Sequence, residues 1–438
     1  MSNPVIHNDA IRQFLRPSYV ASELGSLEAF LLKSRVLSFR PLATGLYPAA
    51  QSSPGSIAGG YNNVWVRDNV YVAWAHYLNG RLAASIRVVR ALTTFFRKYH
   101  FRFDHIIAGA VDPREPMNRV HVRFDGERLE ELPGTWSHAQ NDALGYFVWL
   151  YCKLAAESAL EVTAGDLTLL ETFAAYFRAI GYWTDEDSGH WEETRKISAS
   201  SIGVVVGGLH AFTTMLETLD GLRQRHGSHR IDSDIRSAHD LAQIGEQALL
   251  EILPAECVQP DPAKARRYDA ALLFLIYPIE VVNGAMAERI VADVIERLQG
   301  EVGIKRYPGD SYWCADYRDL LQAKDRSRDF SRDIKRRDAL LKPGEEAQWC
   351  IFDPLLSVIF ANRYIRSRAP ADRERQAFYF NRSLGQISSG LQCTEAYFLE
   401  HGRYVPNDNT PLLWTQANLW MAIHFMKRTA RTDPPRQA

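Results

Sequence analysis

Helical periodicity fills most of this chain, and the residues that break it fall just before every second helix. In "RLAASIRVVRALTTFFRKY", Leu82, Ile86, Val89, Leu92 and Phe96 return at three- and four-residue spacing, which marks one buried helical face. Comparable patterns predict helices over about 22–36, 67–79, 81–99, 139–158, 166–182, 199–222, 231–251, 266–275, 284–298, 348–367, 370–387 and 412–429. Strand alternation is scarce. The stretch "RVHVRFDGERLEEL" reads as a hairpin with Asp125-Gly126 at its turn.

The punctuating loops share a chemistry. "YNNVWVRDN", "GTWSHAQND", "GHWEETRKIS", "RRYDAA", "EEAQWCIFD" and "LQCTEAYFLEHGRYVPNDNTPLLW" each combine aromatic and charged residues, and each precedes an even-numbered helix. If six helical hairpins close into a ring with even helices inside, these loops converge on one mouth. Helix N-termini there offer free N–H groups and positive partial charge to oxygen-rich ligands. Indoles beside carboxylates and guanidiniums suit a sugar, whose C–H face packs on flat rings while its hydroxyls take hydrogen bonds. The expected architecture is an all-α (α/α)6 barrel, one domain over residues 1–438, with a small hairpin at the mouth.

The charge balance argues against other classes. At a net charge of −1 over 438 residues, nothing favours a nucleic-acid or anionic-membrane partner. The five cysteines are scattered without a C-x-x-C pair, so they read as reduced thiols, mostly in the core. The first residues lack a signal pattern, and the longest apolar run, "AALLFLIYP", is short for a membrane span, so a cytoplasmic location is expected. No H-E-x-x-H, P-loop, G-x-S-x-G or G-x-G-x-x-G motif occurs, and no metal or organic cofactor is expected. Histidines such as His138 and His190 read as hydrogen-bonded loop residues. The charged stretch 316–346 reads either as a solvated excursion or as a lid over the site, and the tail 430–438 as a frayed end.

Each cluster also has a plain structural reading. Arg67-Asp68 fits a charge pair at a helix start or a grip on sugar hydroxyls. Trp136, with Gln140, Asn141 and Asp142, fits a capped helix entrance or a sugar-facing indole. Glu192-Glu193 fits an exposed polar turn, but burial beside Trp191 would raise the Glu192 pKa and leave a protonated acid near neutral pH, with Glu193 ionised beside it. Arg195 and Lys196 would oppose that if they point inward. Glu395 could be an ionised base that activates water, with Glu400 and Asp408 as rivals and Tyr397 positioned to hold it.

"VWVRDN", "TWSHAQND", "HWEE", "IKRYPGDSYW", "EAQWCIFD" and "CTEAY" stand in the order expected of glycoside hydrolase family 15, the glucoamylase-like family, which this chain resembles over about residues 60–425. "WVRDNVY", "VRFD" and "SASSIG" resemble the catalytic-like domain of the phosphorylase kinase alpha and beta regulatory subunits. The resemblance implies an (α/α)6 barrel and inverting, exo-acting hydrolysis of α-glucosidic bonds. It implies Glu192 as general acid and Glu395 as general base. Arg67, Asp68 and Arg306 would grip the terminal glucose, and Trp65, Trp136, Trp191, Glu193, Trp349 and Tyr397 would complete the sugar site. With the first barrel motif beginning by Val64, neither the N-terminal β-sandwich of many bacterial members nor a starch-binding extension is expected. Short soluble α-glucosides are the expected substrates. The rivals are a carbohydrate-sensing or regulatory protein on the same barrel, and phosphorolysis or action on another sugar.

Overall fold

The structure, a computed structural model, describes residues 4–50 and 59–432. Helices account for most of it. In chain order the principal ones are α1 (Ala21–Lys33), α2 (Val66–Leu78), α3 (Leu82–Lys98), α4 (Asn141–Ala156), α5 (Ala164–Ile180), α6 (Ala199–Thr218), α7 (Ser228–Ile252), α8 (Gly284–Arg297), α9 (Phe352–Ser367), α10 (Pro370–Gly385) and α11 (Leu413–Thr432). The predicted helix over 266–275 is instead a 3-10 segment, Ala270–Leu275, capped by the Asp269 side chain on the Ala271 N–H. Pro278 lacks an N–H and disfavours helix at the residue before it, so this segment stays short.

Even positions are inside, as expected. α2, α4, α6, the 3-10 segment, α9 and α11 are buried over much of their length, and each packs on the next around the ring until α11 meets α2. α1, α3, α5, α7, α8 and α10 lie outside, giving an (α/α)6 barrel. One apolar cluster runs through it from Ile11 to Met426. The outer helix α3 buries Val89, Leu92 and Phe96 as its periodicity predicts, while Leu82 at its start is 37% exposed.

Two inner helices approach closely enough to require glycine. A Cβ on Gly145 of α4 would stand 2.9 Å from the Val204 carbonyl and the Val205 nitrogen of α6, and one on Gly208 would stand 2.9 Å from the Gly145 carbonyl oxygen. α6 is also long and apolar enough to cross a membrane, and 78% of its apolar stretch is buried inside the protein. Gly203, Gly207, Gly208 and His210 interrupt its apolar residues.

Two small antiparallel sheets sit among the loops. β1 (Val64–Trp65), β2 (Arg123–Asp125) and β3 (Glu130–Glu131) form the first, with Trp65 opposite Arg123 and Phe124 opposite Glu131. The expected hairpin is present, but its loop spans residues 126–129, with Asp125 Oδ1 accepting from the Glu127 and Arg128 N–H groups. The second sheet is β4 (Gln348–Trp349), β5 (Ala396–Glu400) and β6 (Arg403–Pro406), with Trp349 opposite Ala396. Sequence alternation does not signal it, because β4 is only two residues long.

The charged stretch contains two short helices, Tyr317–Leu320 and Ile334–Asp338. It is tied down at its start: Arg318 pairs with Glu400 and Asp408, and Arg326 pairs with Asp408. At the other end α11 continues through Thr432, and residues 433–438 of the expected frayed tail lie outside the described residues.

Candidate active site

A cavity of ≈ 700 Å³ opens where the loops entering the inner helices converge. Trp65, Arg67, Asp68, Trp136, Trp191 and Glu192 line one part of it, and Arg306, Trp349 and Glu395 another. Of the eleven residues expected at the site, only Glu193 and Tyr397 are not part of this wall.

The backbone explains why adjacent glutamates part company. Glu192 follows the 3-10 turn Gly189–Trp191 in the left-handed region, at φ 60°, ψ 42°. That conformation costs a non-glycine residue about 1–3 kcal/mol and marks a position held by its surroundings. Here Glu192 faces the cavity. Its Oε1 accepts from Trp65 Nε1 at 2.7 Å and from Arg67 at 3.4 Å. Burial raises its pKa, Asp329 adds to the rise, and Arg67, the Trp65 hydrogen bond and Arg123 oppose it.

Glu193 points away into a cluster of cations, which corrects the expectation that it lies beside the sugar. Its carboxylate takes Arg266 at 3.0 Å, Arg337 at 2.9 Å, Arg306 at 3.3 Å and the Tyr307 hydroxyl. Burial alone would raise its pKa, but Arg266, Arg306, Arg337 and Lys196 outweigh burial and hold it well below the ordinary range. Glu193 is therefore ionised, and it braces Arg306 and Arg337, which do line the cavity.

Glu395 sits immediately before β5, and the β4–β5 pairing brings it to Trp349: the Cys350 N–H donates to the Glu395 carbonyl at 2.9 Å. Trp349 in turn pairs with Ile304, two residues before Arg306. One short ladder thus gathers positions 306, 349 and 395. The Glu395 carboxylate accepts from Tyr61 Oη at 2.8 Å, from Asn409 Nδ2 at 2.7 Å and from Asn407 Nδ2. Burial pushes its pKa up to about 6 against these three donors and Arg306. Glu192 and Glu395 are thus both raised, where the sequence reading expected only Glu192 to be.

Tyr397 does not hold Glu395. Its ring stacks on His7 at 4.0 Å and its hydroxyl donates to the Gln386 carbonyl at 3.1 Å, so it packs behind the sheet. Tyr61 and the Asn407/Asn409 pair take that role. The rivals Glu400 and Asp408 pair with Arg318. The signal for Asn407 and Asn409 was the N-D-N run before α11. Tyr61 stands two residues before the Asn63-Val64-Trp65 stretch.

The remaining residues buttress this wall. Arg67 pairs with buried Asp142 at 2.5 Å and also donates to Gln140 at 3.4 Å. Gln140 and Asp142 therefore hold Arg67 from behind. Burial, with Glu192 and Glu395 nearby, raises the Asp68 pKa to about 7 against Arg67. Arg306 is clamped by both oxygens of Asp310 at 2.6 Å and lies over Trp349 at 4.8 Å and Trp191 at 5.1 Å. Arg123 lies over Trp136 at 3.9 Å and Trp65 at 4.7 Å. The indole N–H groups of Trp136, Trp349 and Trp414 are buried without a partner among the described residues, and all three indoles face the cavity. His190 is a hydrogen-bonded loop residue as expected, held between Tyr146 at 3.1 Å and Ser200 at 3.2 Å, and burial lowers its pKa to about 4.

The charged stretch 316–346 settles over the site. Ser327, Arg328, Asp329 and Arg337 line the cavity, and Asp329 accepts from Ser137 at 3.0 Å. The stretch thus puts four residues on the cavity wall while others, such as Lys324, Asp333 and Arg336, are exposed.

A helical barrel in which two glutamates far apart in sequence, Glu192 and Glu395, share an indole-walled hollow has the form of a glycoside hydrolase. The chain belongs to glycosyl hydrolases family 15, whose model matches residues 31–329. Glu395 and Trp349 lie beyond the matched span. Among solved structures, a glycosidase in complex with glucose superposes with a TM-score of 0.66 at 18% identity, covering 93% of this chain and 99% of that one. A glucoamylase from Saccharomycopsis fibuligera superposes at 0.61 with 11% identity, covering 98% of each chain. At these identities the superpositions bear on the fold. Among curated proteins, the probable phosphorylase b kinase regulatory subunit alpha of Caenorhabditis elegans is 24% identical over 65% of this chain. The liver-isoform alpha subunit of Takifugu rubripes is 25% identical over the same share. The chain spans under a quarter of those relatives, 23% and 24% of their lengths.

Proposed function

We propose that this chain is an inverting, exo-acting α-glucosidase of short soluble α-glucosides, working as one catalytic domain over residues 1–438. The observation that carries this is the shared cavity of Glu192 and Glu395, walled by tryptophans and by Arg67, Asp68 and Arg306. In this reading the terminal glucose packs on the indoles and gives its hydroxyls to Asp68, Arg67 and Arg306. Glu192, whose pKa burial raises against Arg67, gives its proton to the leaving oxygen. Glu395, ionised above about pH 6, takes a proton from the water that attacks the opposite face. Inversion calls for roughly 6.5–9.5 Å between the two carboxyls, enough for that water.

The test is glucose release from a panel of α-linked disaccharides by wild type, Glu192→Gln and Glu395→Gln, with the first-formed anomer read by NMR. β-Glucose as first product, and a loss of roughly 10²–10⁴ in kcat for each variant, are expected. Wild-type rates in both variants would remove the assignment. The second reading, a carbohydrate-binding regulatory protein, is favoured by the names of the curated relatives. Saturable sugar binding without turnover on the whole panel would select it.

A further inference from the structure

Behind Glu193 lies a second, open cleft of ≈ 1730 Å³, separated from the first cavity by that residue and its arginines. Lys196 and Arg266 form its inner wall, and the exposed side chains of Arg332 and Lys335, from the charged stretch, stand at its rim. Lys196 is the telling residue. Its side chain is only 7% exposed, and its ammonium donates no hydrogen bond among the described residues; the nearest carboxylate oxygen, Glu193 Oε2, is 4.0 Å away.

Glu193 has little left to offer it. One of its oxygens already accepts from Arg306, Arg337 and Tyr307, and the other from Arg266. Of the acids lining the cleft, Asp338 accepts from Ser311 and Asp261 from the Ala263 N–H, and Asp333 is exposed. A buried ammonium facing a cleft without an acceptor is costly unless an anion arrives to meet it. Arg266 beside it presents a planar guanidinium, which together with an ammonium suits the tetrahedral oxygens of a phosphate group.

We propose that this cleft binds a small phosphate-type dianion, either inorganic phosphate or a phosphate monoester, between Lys196 and Arg266. The site also has a route to the first cavity. Arg266 donates to Asp269 at 2.9 Å, and Asp269 accepts from the Trp191 indole at 3.0 Å, so a ligand on Arg266 touches a chain of contacts that ends at a cavity wall. Binding at the cleft does not depend on the hydrolytic reading.

The experiment is calorimetric titration of the full chain with inorganic phosphate at constant ionic strength, repeated with a hexose 6-phosphate. Saturable one-site binding is expected. Lys196→Gln should weaken it roughly tenfold or more, and Lys196→Arg should retain it. The exposed rim variant Lys335→Glu should also weaken it, which keeps the test sound if Lys196→Gln folds poorly. Tighter binding of the hexose phosphate would identify a monoester as the ligand, and equal or weaker binding would identify phosphate itself. The proposal is overturned if no saturable heat appears, if Lys196→Gln and Lys335→Glu bind as wild type does, or if saturating glucose displaces the phosphate, which would put it in the first cavity.

Discussion

Burial raises both Glu192 and Glu395, but different neighbours oppose it. Around Glu395 the opposition comes first from neutral donors, Asn409, Tyr61 and Asn407. Around Glu192 it comes first from the Arg67 charge. The acid limb of kcat/KM should therefore fall near pH 6, where Glu395 loses its proton. Tyr61→Phe removes a donor to the charged form, so that limb should move to higher pH by roughly half a unit to one unit. A pH–rate profile of the variant checks this, and an unmoved limb would detach Tyr61 from the base. Asp68 offers a test through stability. Its folded pKa is raised from 3.8 to about 7, so the folded state holds a proton that the unfolded state releases across that window. Its contribution is fully present below about pH 4 and is lost as pH rises through 7. Asp68→Asn removes the buried charge. It should stabilise the protein at pH 8 by on the order of 1–3 kcal/mol, do little at pH 4, and depress activity at both. Thermal melts of the two proteins at both pH values decide it.

At the scale of elements, the charged stretch 316–346 carries the most consequence. Its helix Ile334–Asp338 delivers Arg337 to Glu193, its loop delivers Asp329 to Ser137, and Asp408 holds its start through Arg318 and Arg326. Asp408 is 20% exposed and its arginines 29% and 18%, so these pairs are partly screened and worth about 1 kcal/mol. Asp408→Asn releases both arginines at once. It should speed proteolytic cleavage within 317–346 and raise KM more than it lowers kcat, because the lining residues loosen while Glu192 and Glu395 stay anchored on other elements. Timed proteolysis beside steady-state kinetics checks both parts. This stretch also marks the limit of what could be read beforehand. The aromatic-plus-charge loops were legible because each announces itself over a few neighbouring residues. Arg337 and Asp329 were not, because their partners Glu193 and Ser137 stand well over a hundred residues away, and a run of charges looks the same whether solvated or buried. Glu193 and Tyr397 were misplaced for a related reason. Adjacency in a motif says nothing about side-chain direction when a left-handed residue or a sheet turns the chain between neighbours.

In the whole molecule, the cavity exists because the inner ring closes, and closure at α4–α6 depends on glycine. Twelve periodic stretches and their alternate loops were enough to foresee the barrel, but the distance between inner helices is set by which residues lack a Cβ at the crossing. Gly145 and Gly208 meet there, with backbone atoms of one helix 2.9 Å from where the other's Cβ would stand. Because the obstacle to a methyl at 145 is the α6 main chain, no side-chain rotation relieves it, and the helices must separate. At the start of α4, Asn141 donates to Asp185 and Asp187 and Asp142 accepts from Arg67, and α6 starts just beyond the turn that carries Glu192. Separation would therefore shift Arg67 relative to Glu192 as well as loosen the core. Gly145→Ala should cost about 1–3 kcal/mol in chemical denaturation and lower kcat in the protein that remains folded, whereas Gly25→Ala in outer helix α1, whose Cβ meets nothing within 4 Å, should leave activity unchanged and add slightly to stability. Equal behaviour of the two variants would mean that the inner-ring spacing does not position the site.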